Sequence, residues 1–168
     1  MFIFLLVTLY LDFFKYFIGE EFRAGLHVVP ILLLANLFLG IYVNLSIWYK
    51  LSDRTLMGAS VSLFGASLTI ILNFYWIPKF GFTGSAYATL VCYAAMAILS
   101  YFLGQKFYRV NYNVKGVLGY LSLGVILYFA NVQLQPLLNW KIGYLSTMLM
   151  LLFLLATTLF EYKRFITR

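Results

Sequence analysis

Six long runs of apolar residues fill most of this 168-residue chain, and their length constrains the fold more than any other feature. They cover about residues 2–18, 27–48, 56–77, 83–104, 114–132 and 141–160. A run of about 18 or more apolar residues is typical of a transmembrane helix, because about 20 residues cross the hydrocarbon core of a bilayer. A helix also satisfies its own backbone hydrogen bonds, which lipid cannot do for it. The sequence therefore predicts an all-α fold, a polytopic membrane protein with about six transmembrane helices.

Composition excludes the soluble classes of protein. Hydrophobic residues make up 64% of the chain and charged residues only 10%, whereas soluble domains are about 45–50% apolar and about 25% charged. The connections between the runs are short, so residues 1–168 are predicted to form a single transmembrane helical domain. The net charge of +7 comes from dispersed basic residues. It therefore predicts no nucleic-acid partner.

The few reactive side chains do not form the pattern of an enzyme. The chain has one His, one Cys and five acids, and it lacks HExxH, GxSxG and P-loop motifs. A catalytic site needs a clustered nucleophile, base or set of metal ligands. Cys92 stands alone in an apolar run and is expected to be a small packing residue. The sequence predicts no catalytic residue, metal site or cofactor.

Basic residues between the runs predict the orientation of the chain. Cytoplasmic connections of membrane proteins carry an excess of Lys and Arg. One side has eight basic residues: Lys50, Arg54, Lys106, Arg109, Lys115, Lys163, Arg164 and Arg168. The other side has four: Lys15, Arg23, Lys79 and Lys141. Both termini are therefore predicted to be cytoplasmic. Aromatic residues near the ends of the runs are predicted to lie at the membrane interfaces: Trp48, Tyr49, Trp76, Trp140, Tyr144 and Tyr162.

The stretch IPKFGFTGSAYATL, residues 77–90, predicts a tight hairpin outside the cytoplasm. Pro78 lacks an N–H and disfavours a helical Ile77, so the third helix is expected to end at Ile77. Gly81 permits a tight turn. Small residues from Gly84 onward, and in GASVSLFGAS at 58–67, predict close packing between helices.

Two stretches carry a resemblance to a known family. LNFYWIPKFGFTGSAYATLVCY and VVPILLLANLFLGIYVNLSIWYKLSDRT resemble the bacterial polysaccharide biosynthesis and oligosaccharide flippase family, part of the multidrug/oligosaccharidyl-lipid/polysaccharide exporter superfamily. The resemblance is strongest over residues 25–112. It implies a MATE-like fold of two lobes in the bacterial inner membrane, with this chain equivalent to the C-terminal helices. The chain is then expected to be a portion of a longer exporter, whose N-terminal lobe or a second copy would complete it.

The resemblance also implies a function. Such flippases move an undecaprenyl-pyrophosphate-linked oligosaccharide from the cytoplasmic to the outer leaflet, for cell-surface polysaccharides such as the O-antigen of lipopolysaccharide. A charged pyrophosphate and a polar glycan need a polar, cationic cavity that opens alternately to each side. Polar side chains at membrane depth tend to face such a cavity. The candidate cavity residues are Asn36, Asn44, Lys50, Arg54, Asp12 and Asn73.

Each candidate has an alternative interpretation. Asn36 and Asn44 lie eight residues apart on nearly one helix face, with Gly40 between them as a predicted close-packing site. They are predicted to line the cavity or to form hydrogen bonds between helices, and the same alternatives hold for Asn73. Lys50 and Arg54 are predicted to attract pyrophosphate or to contact anionic lipid. Asp53 is expected to pair with one of these cations.

Asp12 separates the remaining functional alternatives. It is the acid well inside an apolar run, so it is a candidate coupling-ion or proton site, although Lys15 one turn later favours an ion pair. A coupling role would suit a drug or cation antiporter of the same superfamily. A second alternative is a non-transporting membrane fragment that needs a partner chain. His27 is expected to lie at the membrane interface.

Overall fold

The computed structural model describes residues 1–107, 114–138 and 144–166, and these residues are helical almost throughout. The side chains of residues 12, 115, 135–138, 161 and 163–166 lie outside the description. In chain order the α-helices are α1 (Phe2–Leu9), α2 (Leu11–Phe14), α3 (Val29–Leu45), α4 (Ile47–Leu51), α5 (Thr55–Phe80), α6 (Phe82–Phe107), α7 (Val114–Leu138) and α8 (Tyr144–Ile166). Two 3₁₀-helices, Lys15–Phe17 and Glu20–Val28, connect α2 to α3.

Within the described residues, four helical stretches are long and apolar enough to cross a membrane. They are Glu20–Leu51, Thr55–Phe80, Phe82–Phe107 and Gly116–Leu134, while Tyr144–Phe160 is apolar but shorter. Many large apolar side chains on these helices are exposed, among them Leu56, which is 82% exposed, and Phe74. Soluble monomers rarely expose contiguous apolar surface on this scale. The predicted all-α fold is confirmed for the described residues, and its helices are those of a membrane-compatible protein.

The first apolar run is not one long helix. We predicted a transmembrane helix over residues 2–18, and this prediction is wrong, because α1 ends at Leu9 and Tyr10 leaves the helical conformation with φ −106° and ψ 21°. The Thr8 hydroxyl donates a hydrogen bond to the Phe4 carbonyl oxygen at 2.7 Å, a contact that often bends helices. An eight-residue helix is about 12 Å long, which is too short to cross a bilayer.

The chain divides into two compact units. The first combines residues 1–26 with residues 113–168, and the second is residues 27–112. In the first unit the Phe4 ring meets the Tyr128 ring edge-on at 6.0 Å. The Ser146 hydroxyl donates a hydrogen bond to the Leu9 carbonyl oxygen at 2.9 Å. The N-terminal helix of this unit is therefore held by contacts with both α7 and α8.

In the second unit α3 and α6 run parallel, and α5 runs against them. His27, just before α3, lies 3.1 Å from the Thr83 hydroxyl at the start of α6. At the other end, Trp48 lies against Gly104. Three successive membrane spans require this alternation of direction. The core of the unit contains Tyr42, Val61, Cys92, Met96 and Ala97.

Glycines bring the helices of the second unit into close contact, as the sequence predicted. A Cβ added to Gly84 would lie 2.5 Å from the Trp76 carbonyl oxygen. A Cβ on Gly58 would lie 2.5 Å from the Tyr49 ring, and one on Gly65 would collide with Met96. The close packing predicted for Gly84 and for the 58–67 stretch is confirmed.

The hairpin between α5 and α6 turns later than predicted. The prediction that the helix ends at Ile77 is wrong, since α5 continues through Pro78 to Phe80. Pro78 lacks the backbone donor that would bond to the Phe74 carbonyl oxygen, but transmembrane helices tolerate proline. Gly81 makes the turn as predicted, with a φ of +58° that favours glycine. Its N–H donates to the Ile77 carbonyl oxygen at 2.8 Å.

Candidate functional site

One face of α3 carries two exposed amide side chains. The Asn36 Nδ2 donates a hydrogen bond to the Leu32 carbonyl oxygen at 2.9 Å, and the Asn44 Nδ2 donates to the Gly40 carbonyl oxygen at 3.0 Å. Both bonds stay within the helix. In the described part of the chain, neither Oδ1 atom has a hydrogen-bond partner. We call Asn36, Gly40 and Asn44 the amide face.

The amide face is turned away from the packed side of α3. The buried side carries Ala35, Tyr42 and Leu45, whereas Asn36, Gly40 and Asn44 are exposed. A Cβ on Gly40 would meet nothing within 4 Å. The prediction of close packing at Gly40 is therefore wrong for the described residues, because this glycine lies on the exposed side. The predicted hydrogen bonds between helices are likewise not seen for Asn36 or Asn44.

The geometry of the amide face suits a polar ligand. Eight residues of helix separate the two asparagines, so their side chains are spaced by about 12 Å along the axis. Each side chain keeps an acceptor oxygen for hydroxyl or N–H donors. Polar groups in hydrocarbon are costly and usually face protein or water. We therefore expect this face to meet a polar partner or water.

Cations and aromatic rings meet where α4, α5 and α6 come together. The Arg54 Cζ lies 4.6 Å from the centroid of the Phe107 ring, and the Lys106 Nζ lies 5.6 Å from it. The Phe107 ring stacks on Trp48 with centroids 6.2 Å apart and planes inclined by 16°. We call Trp48, Arg54, Lys106 and Phe107 the cation–aromatic cluster. Lys50 is exposed in the last turn of α4.

Lys106 was not among the predicted site residues. In the sequence analysis it was only one of the basic residues from which the orientation of the chain was predicted. Its place beside Arg54 depends on the contact of both side chains with Phe107, and 52 positions of sequence separate the two cations. The Lys–Phe pair at the end of an apolar run was the available signal.

Asp53 does not neutralise the neighbouring cations as predicted. It lies in the turn before α5 with a φ of 52°. Within the described residues it forms no ion pair with Lys50 or Arg54. A carboxylate in this turn is exposed and can be solvated by water, so pairing gains little.

Trp48 and Tyr49 also differ from their predicted environment. Both were expected to face the membrane interface, but Trp48 is 1% exposed and Tyr49 is buried as well. Tyr49 approaches Tyr42, with 3.4 Å between the hydroxyl oxygens. Gly58 and Gly104 leave room for these two rings. By contrast, Tyr144 and Tyr162 are exposed, and Trp140 lies outside the described residues.

The remaining candidates lie on other elements of the fold. Asn73 is partly buried on α5 and its Oδ1 has no hydrogen-bond partner within the described residues. Asp12 lies in α2, in the first unit, and its side chain is outside the description. Its predicted pairing with Lys15 is therefore outside it too. His27 is exposed, as expected of an interfacial residue, and contacts Phe82 with ring centroids 5.4 Å apart.

An apolar groove of about 330 Å³ lies between α7 and α8 in the first unit. None of the predicted cavity residues lines it. Its lining consists of Gly116, Gly119, Tyr120, Ser122, Leu123, Ile126, Ala156 and Phe160. The groove offers a ligand few polar contacts and does not extend the candidate site.

Comparison of the chain with protein-family models, with curated proteins and with solved structures found no match. The resemblance to the oligosaccharide flippases therefore stays a prediction from the residues quoted above.

Proposed function

We propose that this chain is part of a membrane transporter that flips a lipid-linked oligosaccharide across the bacterial inner membrane. The amide face of α3 would line the path of the glycan. The cation–aromatic cluster and Lys50 would lie at the cytoplasmic mouth of that path. An N-terminal lobe or a second copy of the chain would form the opposite wall.

The exposed amide face is the observation that carries this proposal. A helix that merely filled a membrane would gain nothing from two asparagines on its exposed side, because lipid offers them no hydrogen bonds. Their acceptor oxygens suit the hydroxyl groups of a sugar, which both donate and accept hydrogen bonds. A row of weak polar contacts also lets a glycan pass without being held at one position.

The packing of the second unit supports the proposal in a second way. Alternating access usually moves one helical body against another around a central site. In the second unit the glycine contacts fix α5 and α6 as one packed body. The amide face lies on the outside of that body, where a second lobe would meet it.

The first test asks whether water reaches the amide face. Asn36→Cys and Asn44→Cys, each introduced into a Cys92→Ala background, are expected to react with a charged, membrane-impermeant thiol reagent in vesicles. The matched control is Leu63→Cys, an exposed apolar position on α5. It should react slowly because it is expected to face lipid. If both asparagine positions react as slowly as Leu63→Cys, the proposed path does not exist.

The second test measures transport. The full chain is reconstituted into vesicles with an undecaprenyl-pyrophosphate-linked oligosaccharide, and an external glycosidase reports the arrival of the glycan. We expect transport that rises with the square of the protein density if two copies form the path. Asn36→Ala with Asn44→Ala should slow it, and Leu63→Ala should not. Absence of transport at every density would favour the non-transporting alternative.

A further inference from the structure

We propose that the cation–aromatic cluster is a binding site for the phosphate of an anionic phospholipid. This inference requires only that the chain lies in a membrane, and it does not depend on oligosaccharide transport. The site consists of the Arg54 guanidinium and the Lys106 ammonium, both positioned by the Phe107 ring, with Lys50 nearby. The bound lipid would fix the junction of α4, α5 and α6 at one membrane surface.

Two like charges contact the same Phe107 ring. The Arg54 Cζ and the Lys106 Nζ lie 4.6 Å and 5.6 Å from its centroid, so the charges are no farther apart than the sum of these distances. The ring is attractive to each cation. Stacking on the buried Trp48 fixes the position of the ring. Packing therefore holds the ring that both cations contact.

These cations have no partner of opposite charge among the described residues. Within the described residues, Lys50, Arg54 and Lys106 form no ion pair. Asp53 is the only acid in the sequence from 27 to 112, and it is exposed and pairs with none of them. An anion beside such cations is attracted by each of them. The cluster therefore has the charge of an anion site.

The surroundings favour a phosphate that belongs to a lipid. A guanidinium binds phosphate oxygens through two parallel hydrogen bonds, and an ammonium adds a third contact. α5 begins at Thr55 without a side-chain cap, which leaves backbone N–H groups and the positive end of its dipole at the same place. Leu51 and Leu56, which flank the cluster in sequence, are exposed and offer apolar contacts to acyl chains.

The charge distribution predicts that this end of the unit is cytoplasmic. Anionic phospholipids of the cytoplasmic leaflet attract basic residues near the surface, with a gain of about five-fold in association for each cation. Phe107 is the last residue of α6, and lipid phosphates lie near the ends of membrane-spanning helices. An anionic phospholipid is therefore the ligand to which charge, depth and apolar surroundings all point.

The test uses the full chain in phosphatidylcholine bilayers. Spin-labelled phosphatidylglycerol is compared with spin-labelled phosphatidylcholine, and the motionally restricted fraction gives the relative association of each lipid. We expect the wild-type chain to prefer phosphatidylglycerol. Arg54→Gln and Lys106→Gln should each lower the preference by about five-fold at most, and Arg54→Lys should lower it less. Phe107→Leu should lower it while all charges remain.

Lys79→Gln is the matched control, because it removes an exposed cation at the opposite end of α5. It should leave the preference unchanged. The proposal is overturned if the wild type shows no preference, or if Lys79→Gln lowers it as much as Lys106→Gln. Displacement of the labelled lipid by inorganic phosphate would assign the site to free phosphate and overturn the lipid assignment. Circular dichroism of each variant confirms that the helices are intact.

Discussion

Replacement of Gly84 by alanine tests the close contact between α5 and α6. The added Cβ would lie 2.5 Å from the Trp76 carbonyl oxygen and 2.8 Å from its carbonyl carbon. Both atoms belong to the backbone of α5 and cannot rotate away. The two helices must therefore separate by roughly 0.5–1 Å, and such a gap forfeits about a quarter to a half of each van der Waals contact along the seam.

The expected change in the free energy of unfolding is the sum of two opposing effects. Overpacking of this kind typically costs about 1–3 kcal/mol, whereas alanine gains up to about 1 kcal/mol over glycine in a helix. We expect Gly84→Ala to lower the free energy of unfolding by about 1–2 kcal/mol. Gly40→Ala is the matched control, because its Cβ would meet nothing within 4 Å. It should raise that free energy by about 0.5–1 kcal/mol.

The assay is unfolding of the full chain in mixed micelles by increasing dodecyl sulfate, followed by far-ultraviolet circular dichroism. The difference between the two variants should be about 2 kcal/mol, which is roughly a thirty-fold change in the unfolding equilibrium. If Gly84→Ala is as stable as Gly40→Ala, the two backbones are not in contact at this position and the packing described for the hairpin is wrong.

Three further predictions concern buried polar groups. Ser146→Ala should destabilise the chain by about 1 kcal/mol in the same assay, because it removes the hydrogen bond to the Leu9 carbonyl oxygen and leaves that acceptor buried; a neutral result would contradict this bond. Cys92 is 2% exposed and donates to the Gly65 carbonyl oxygen at 3.2 Å, so a maleimide should label it only after unfolding, and rapid labelling of the native chain would refute its burial. Trp48→Phe keeps an aromatic ring and removes an indole N–H that has no acceptor within the described residues, so it should cost clearly less than Trp48→Ala, for which about 3–5 kcal/mol is typical; equal losses for the two variants would contradict this.

The length and apolar character of the runs predicted most helices of this chain. They did not predict the residues at which the helices end. The apolar runs at 56–77 and 83–104 correspond to α5 and α6, because length and apolar character suffice to specify such helices. The first run failed because α1 ends at Leu9, where Tyr10 leaves the helical conformation. Average hydropathy contains no information on the conformation of a single residue.

At the candidate site, too, the sequence predicted local features but not contacts between distant residues. The spacing of Asn36 and Asn44 correctly placed them on one face, because helical periodicity is a local property. The exposure of that face, which also removed the predicted close packing at Gly40, depends on which side of α3 contacts α6. Lys106 joined Arg54 only through Phe107. Such a contact between distant positions depends on the fold and has no signature in a single sequence.

The division of the chain into units also sets an order of assembly during synthesis. Residues 27–112 form a contiguous unit and can fold as soon as they have left the ribosome, since domains generally fold as they emerge. The first unit needs its two parts, residues 1–26 and 113–168, so α1 is synthesised before α7 and α8 and completes its packing only after both have been made. In a nascent chain stopped after residue 112, residues 1–26 would still lack these contacts.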